Sequence, residues 1–301
     1  MAARSPILPP LPPLFPPAFR ERLHALIGQR AGFRGAPDAR QRARRSVLSQ
    51  SGTFVGHRPY EHGDDLRRID WSAYARTGQL YVKQLEQEQR RTAALLLDLS
   101  ASLHAGEPPR RVPLLRGAAV VGGFALAQLD GLTVLAPGAG ALAERTFTGV
   151  AAVPELLAHL AALPVAAAGA GDAVGLLLRR GLPGRVHWFS DFAVPSACER
   201  PLHALRRRGA VVTGWLPELP ADRAPQPSGY LRVTDPETGA ELTLPVDEAF
   251  VAELRRQLAL LAARQDRLFA QAGARLVRWR APALDDHSAP AFAVFAARCE
   301  P

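Results

Sequence analysis

The chain has 301 residues, 48% of them hydrophobic, which supplies apolar surface for a sizeable core and excludes disorder throughout. Its net charge of +9 is uneven: residues 1 to 91 hold 16 basic and 8 acidic side chains, so the basic character is N-terminal. Lys83 is the single lysine among 37 basic residues, a bias that records a GC-rich genome rather than a function, and the widely separated Cys198 and Cys299 exclude a disulfide framework or CxxC metal motif and fit a reduced, cytoplasmic protein.

The stretch "MAARSPILPPLPPLFPPAF" contains seven prolines that break any signal-peptide helix, and is read as a polyproline II tail over residues 1–18. No window offers the roughly 20 uninterrupted apolar residues of a membrane span. "AFRERLHALIGQRAGF" has helical spacing through Phe19, Leu23, Leu26 and Ile27. The arginine-rich stretch that follows, residues 30–45, could steer the chain towards nucleic acid, anionic lipid or an acidic protein. It lacks interleaved stacking aromatics and matches no recognition motif, which argues against nucleic acid.

Next comes "HRPYEHGDDLRRIDWSAYARTGQLYVKQLEQE", residues 57–88, dense in acids, arginines and aromatics, whose end "LYVKQLEQEQ" alternates as a strand. From residue 93 strands and helices alternate, the signature of a mostly parallel sheet with helices on both faces. "AALLLDL" (93–99), "GLTVLAP" (131–137), "RVHWFSDF" (185–192), "AVVTGWLP" (210–217) and "ARLVRWRA" (274–281) read as strands. Helices are predicted at 112–129, 153–163, 171–181 and 199–209. Asp247 can cap a long helix with the face Phe250, Leu254, Leu258, Leu261 and Leu268. "SGYLRVTDPETGAELTLP" alternates around a turn and predicts a hairpin. The expected organisation is a tail (1–18), a basic segment with the dense motif (19–91), an α/β domain (92–282) and a C-terminal tail (283–301).

Open α/β sheets place their sites beyond the C-terminal ends of the strands. Two such ends are polar here. "LLLDLSAS" puts Asp98, Ser100 and Ser102 at alternate positions, and "WFSDF" puts Ser190 and Asp191 after a second strand. An all-oxygen set of low charge suits a hard divalent ion such as Mg²⁺ that keeps waters, and does not suit zinc. The competing reading is that both aspartates cap following turns and the serines satisfy loop backbone.

"DLSAS" resembles the DxSxS element of von Willebrand factor A domains, whose metal-ion-dependent adhesion site uses those three side chains, a threonine from a second loop and an aspartate from a third. The pattern "Y..GDD.R.IDW...ART..L.VK..E.E", running from Tyr60 to Glu88, is similar to the signature of the bacterial domain of unknown function 58 (DUF 58) family, in which it leads into a von Willebrand A-like domain. The resemblance covers residues 45–245. It implies a von Willebrand A-like, Rossmann-like fold with an N-terminal extension, and carries Asp98, Ser100, Ser102 and Asp191 over as ligands of Mg²⁺. The threonine position falls in "AGAGDAVGLLL", where Gly171 stands beside Asp172; Thr146 and Thr148 lie earlier in the chain, and Leu103 replaces the usual methionine. The adhesion site is therefore degenerate.

Within the dense motif, Gly63 allows a tight turn, Asp64 can cap a short helix "DLRRIDW", and Asp70 can pair with Arg67 or Arg76 in bidentate fashion. Trp71 and Tyr74 would be its apolar anchors. No Ser/His/Asp or Cys/His constellation is indicated, and His57 and His62 read as solvated loop residues. The motif is expected to be an internal clamp of ion pairs that packs against the α/β domain, not a catalytic cluster.

The resemblance implies a non-enzymatic interaction module working with a MoxR-type AAA+ ATPase in chaperone-like assembly or metal insertion. Other von Willebrand A-domain or membrane proteins would be further partners, through which a cytoplasmic chain could associate with a membrane. The chain has no GxxxxGK[ST] P-loop, so ATP hydrolysis would belong to that ATPase. Two alternatives stay open: a Mg²⁺-dependent hydrolase using Asp98, Asp191 and Asp172, and a nucleic-acid binder acting through the arginine-rich segment.

Overall fold

The structure is a computed structural model and describes residues 13–32, 53–61, 69–86, 92–104, 109–129, 131–137, 142–164, 171–181, 183–219, 222, 229–235 and 240–280. Residues 1–30 and 91–301 form one compact unit, and residues 31–90 a second.

The larger unit is built on a six-stranded sheet of order β10-β7-β6-β3-β4-β5. Its strands are β3 (Thr92–Leu97), β4 (Gly131–Pro137), β5 (Leu142–Phe147), β6 (Arg185–Phe189), β7 (Val211–Glu218) and β10 (Arg275–Arg280). All pairings are parallel except β4 with β5. The central strand β3 is covered on both faces, which is why it reads as an unbroken apolar run. Its residues alternate between two cores: Ala93, Leu95 and Leu97 on one face, Ala94 and Leu96 on the other. Each fully buried leucine contributes about 2 kcal/mol of hydrophobic stabilisation.

The first core holds α1 (Pro17–Gly32), α3 (Arg111–Gln128) and α4 (Val153–Ala162). α3 is buried on every side from Arg111 to Leu126, and its small residues make this possible. A Cβ on Gly117 would lie 2.9 Å from the Trp279 ring, one on Gly122 2.8 Å from Leu156, and one on Gly123 2.8 Å from Ile27. The second core holds α5 (Gly171–Arg180), α6 (Pro195–Arg207) and α7 (Glu248–Gln271), which meet the sheet through Val174, Leu202, Leu205, Leu268 and Phe269. Asp247 caps α7 by accepting from the Phe250 N–H at 2.7 Å, as its sequence predicts. The predicted hairpin forms as β8 (Gly229–Thr234) and β9 (Glu241–Val246), antiparallel and exposed along β8.

Three features differ from the sequence pattern. α1 belongs with the sheet and not with the basic segment: Phe19, Leu23 and Ile27 sit in the first core, and buried Arg116 donates to the carbonyls of Leu14 (2.9 Å) and Pro13 (3.3 Å). β5 is an edge strand whose exposed Glu144, Arg145 and Thr146 break any apolar alternation. β1 (Thr53–Pro59) pairs with β2 (Tyr81–Glu86) in the smaller unit although its sequence carries no clear strand signal. Of the tail expected over 1–18, residues 1–12 lie outside the described residues, whereas Leu14 and Phe15 pack into the first core and Pro17 opens α1. The C-terminal tail expected over 283–301 lies outside the described residues. Among the described residues no helix is long and apolar enough to cross a membrane.

Gly214 of β7 faces α7, and an added Cβ would lie 2.4 Å from two ring carbons of Phe269. Gly214→Ala is expected to cost about 1–3 kcal/mol by overpacking, read from urea denaturation; an unchanged midpoint would show that α7 yields without cost. His187 on β6 accepts at Nδ1 from the Trp215 indole N–H at 3.2 Å. Burial, then the nearby Arg185 charge, lower its pKa to about 4. The unfolded chain therefore binds the extra proton first, so this contribution is present above about pH 6.5 and is lost as pH falls towards 4, by up to about 3 kcal/mol. His187→Gln keeps an acceptor for Trp215 and should flatten that part of the stability profile in melts between pH 4 and 7.

Candidate functional site

The parallel pairing of β3 with β6 sets Leu97 opposite Phe189, so the two polar strand ends emerge side by side. The ladder continues past them: the Asp98 N–H donates to Phe189 O at 2.9 Å, and the Ser190 N–H to Trp215 O at 3.2 Å. Asp98 then turns the chain, its Oδ1 accepting from the Ser100 N–H at 3.0 Å. Its Oδ2 accepts from the Ser190 hydroxyl at 2.7 Å, joining the two strand ends through their side chains. The Ser100 and Ser102 hydroxyls are 3.0 Å apart. Leu103, where the adhesion-site pattern has methionine, is buried in the first core and pins this turn.

The second strand end has its own geometry. The Ser190 hydroxyl also accepts from the Phe192 N–H at 3.0 Å, and Asp191 Oδ1 accepts from the Ala193 N–H at 3.0 Å. Phe192 takes a left-handed backbone with φ 49°, a conformation that costs a non-glycine residue about 1 kcal/mol or more. Its ring is buried, edge-on to Trp188 at 5.8 Å and to Phe269 at 5.1 Å. Gln265 of α7 donates from one amide nitrogen to the carbonyls of Asp191 (3.0 Å) and Phe192 (3.1 Å).

Hydrogen bonds thus link Asp98 to Ser190 through their side chains, to Ser100 through its backbone N–H, and Ser100 to Ser102 through their hydroxyls, which gathers these oxygens at the strand ends as one cluster of linked groups. A carboxylate offers roughly four acceptor sites, and two on Asp98 are accounted for by Ser100 and Ser190, so acceptor capacity remains for a cation or a partner's donor. Among the described residues no group of three or more His, Cys, Asp or Glu converges. With hydroxyls in place of further carboxylates, the donor set fits a hard ion that keeps its waters and does not fit zinc. The backbone of Gly171 and Asp172 opens α5, and their side chains lie outside the described residues.

Ser190 and Gln265 complete this picture, and neither belongs to the ligand pattern read from sequence. Ser190 was visible as the residue preceding Asp191. Gln265 lies 74 residues from Asp191 and gives no local signal.

The described part of the dense motif is organised around Asp70. α2 (Trp71–Thr77) is capped by Asp70, whose Oδ1 accepts from the N–H groups of Ser72 (3.0 Å) and Ala73 (3.1 Å). Of the short helix expected over residues 65–71, residues 65–68 lie outside the described residues, while Ile69 bridges to Val82 and Asp70 is extended. Asp70 Oδ2 pairs with His57 Nε2 at 2.7 Å, so His57 is solvent-exposed but lies on a strand with a carboxylate partner and not in a loop. Trp71 and Tyr74 are 61% and 44% exposed and touch edge to face, so neither is a buried anchor. Gly78, at φ 70°, ends the helix. Arg76 sits exposed in the last turn, where its charge suits the helix C-terminus. Tyr60 donates its N–H to Leu80 O at 2.9 Å. Gly63, Asp64, Arg67 and His62 lie outside the described residues.

Cys198 of α6 reports on the strand-end site. Burial, followed by the negative charges of Asp98 and Asp191, pushes its thiol up to about 12. The thiolate that reacts is therefore scarce at neutral pH. Iodoacetamide at pH 8 should label Cys198 much more slowly in the native protein than in urea, as read by peptide mass spectrometry, and Asp98→Asn should raise the native rate. Labelling at the unfolded rate would mean that the thiol is not held beside those carboxylates.

Comparison with known proteins agrees with the resemblance carried by the dense motif. The family described as "Protein of unknown function DUF58" matches residues 56–267. Uncharacterized proteins of Mycobacterium tuberculosis and Mycobacterium bovis are 28% identical over 239 residues, covering 74% of this chain and 73% of theirs. Among solved structures, a conserved hypothetical protein BatB from Bacteroides thetaiotaomicron matches with a TM-score of 0.38 at 12% identity, over 68% of this chain and 98% of its own. An aerotolerance-related membrane protein from Bacteroides fragilis matches with a TM-score of 0.40 at 16% identity, over 65% of this chain and 97% of its own. With the family match spanning well over half of its residues, this chain is a member of the DUF58 family.

Proposed function

We propose that this chain is a protein-interaction module that presents the loops after β3 and β6 to a partner, in the manner of a von Willebrand A-like domain with a degenerate adhesion site. The observation that carries the reading is the oxygen cluster of Asp98, Ser100 and Ser102, cross-tied to the second strand end by the Ser190 hydroxyl at 2.7 Å. Mg²⁺ would be held by Asp98, Ser100 and Ser102, with Asp191 from the neighbouring loop. When bound, it would offer an open position to a carboxylate of the partner.

Binding rather than catalysis fits the groups around the cluster. The Cys198 thiol is protonated at neutral pH, which makes it a poor nucleophile, and Asp98 is engaged in ordering its own loop. The partner inferred is a MoxR-type AAA+ ATPase, the kind of protein with which the resembling family is typically encoded. ATP hydrolysis would come from that protein, and this chain would act with it in chaperone-like assembly.

The test is a pull-down of the purified chain with a MoxR-type ATPase from the same genome, in Mg²⁺ and in EDTA, using wild type and Asp98→Ala. Binding that is lost in EDTA and in Asp98→Ala is the expected outcome. Binding that survives both would reject the metal bridge and keep the scaffold. Absence of binding under every condition would remove the ATPase as partner.

A further inference from the structure

We propose that Gln265 is the positioning residue of the strand-end site, holding the loop that carries Asp191 through that loop's backbone; this rests on the interaction-module reading above. Gln265 is buried on α7, 18 residues after its capping aspartate, and makes no contact with the Asp191 carboxylate in the bonds described for it. It acts on the main chain. Its amide nitrogen donates to two successive carbonyls, those of Asp191 and Phe192, at 3.0 and 3.1 Å. Because each peptide unit is planar, anchoring both carbonyls limits φ and ψ of Phe192, which lies between them, and fixes the peptide plane that follows Asp191, so the Asp191 side chain leaves the chain beside a held turn.

The orientation of the amide is itself set. Gln265 Oε1 accepts from Arg278 of β10 at 2.9 Å, which leaves only the nitrogen end to face the loop. Arg278 donates to Ala262 O at 3.1 Å and pairs with Asp266, so it is held by the same helix that it helps to aim. One turn beyond Gln265, Phe269 packs edge-on against the Phe192 ring at 5.1 Å. α7 therefore grips the loop twice, by an amide on the backbone and by a ring on the side chain, at the residue with the left-handed φ. Neither grip alone accounts for that conformation. Phe269 would hold the ring in more than one backbone setting, whereas the paired carbonyl bonds are compatible with few.

The experiment compares wild type, Gln265→Met and Asp247→Ala. Methionine keeps the length of the side chain and removes both donors. Asp247→Ala removes the cap at the far end of the same helix and loosens α7 without touching the loop. Two quantities are read: Mn²⁺ binding by electron paramagnetic resonance titration, with Mn²⁺ as the probe for a hard divalent ion, and hydrogen exchange of the peptide covering residues 190–194. The expected result is at least a tenfold loss of Mn²⁺ affinity and faster exchange at 190–194 in Gln265→Met. Asp247→Ala should lower the melting temperature and leave both quantities as in wild type. Wild-type affinity and exchange in Gln265→Met would overturn the proposal, as would equal effects in the two variants. If wild type binds no Mn²⁺, the metal site of the interaction reading fails, and the exchange arm decides on Gln265: faster exchange confined to Gln265→Met upholds it, and unchanged exchange overturns it.

Discussion

The parallel pairing of β3 with β6 is the constraint on which the larger unit depends. It places the chain's most apolar strand at the centre of the sheet, and it brings "DLSAS" and "FSDF" out at the same edge. Hydrogen bonds from the backbone of Asp98 and Ser190 carry the ladder one residue beyond each strand, so the site loops begin from a rigid support. A strand covered on both faces needs close-packed layers on both sides. That requirement reaches as far as α3, where Gly117, Gly122 and Gly123 let one helix lie under α1, α4 and Trp279 at once.

At the strand ends the chemistry is one of ordering rather than of exposed reactivity. The Asp98 carboxylate binds its own loop and the neighbouring one, and this converts two separate turns into one surface. The same negative charge, together with burial, keeps Cys198 protonated. In the smaller unit Asp70 plays a comparable local part. It caps α2 and pairs with His57 across the β1–β2 hairpin, so the most charged stretch of the chain uses its acid to fix a turn. The diagnostic value of that stretch as a family signature and its structural role are separate matters: Trp71 of the signature and its neighbour Tyr74 stand exposed.

Local sequence signals were sufficient where one physical rule acted alone. The unbroken apolar run of β3, the helical spacing of Phe19, Leu23 and Ile27, and the cap at Asp247 each reflect burial or hydrogen bonding within a few residues, and all three form as the pattern indicates. Asp98, Ser100 and Ser102 were legible for the same reason: they are adjacent and follow a strand. β5 was not, because an edge strand needs no apolar alternation. The pairing of Asp70 with His57 was not legible either, since His57 reaches it only through the antiparallel register of a hairpin whose first strand gives little signal.

By itself, the sequence determined the alternation of strands and helices, the family signature and the polar residues at two strand ends, because these depend on periodicity and on neighbours in the chain. Only the tertiary structure decided that α1 joins the sheet's core, that Ser190 ties Asp98 to the second loop, and that Gln265 and Phe269 hold Phe192 in a left-handed turn. Each of these joins residues far apart in sequence. Such contacts are set by which faces the packed layers bring together, and no local propensity encodes that choice.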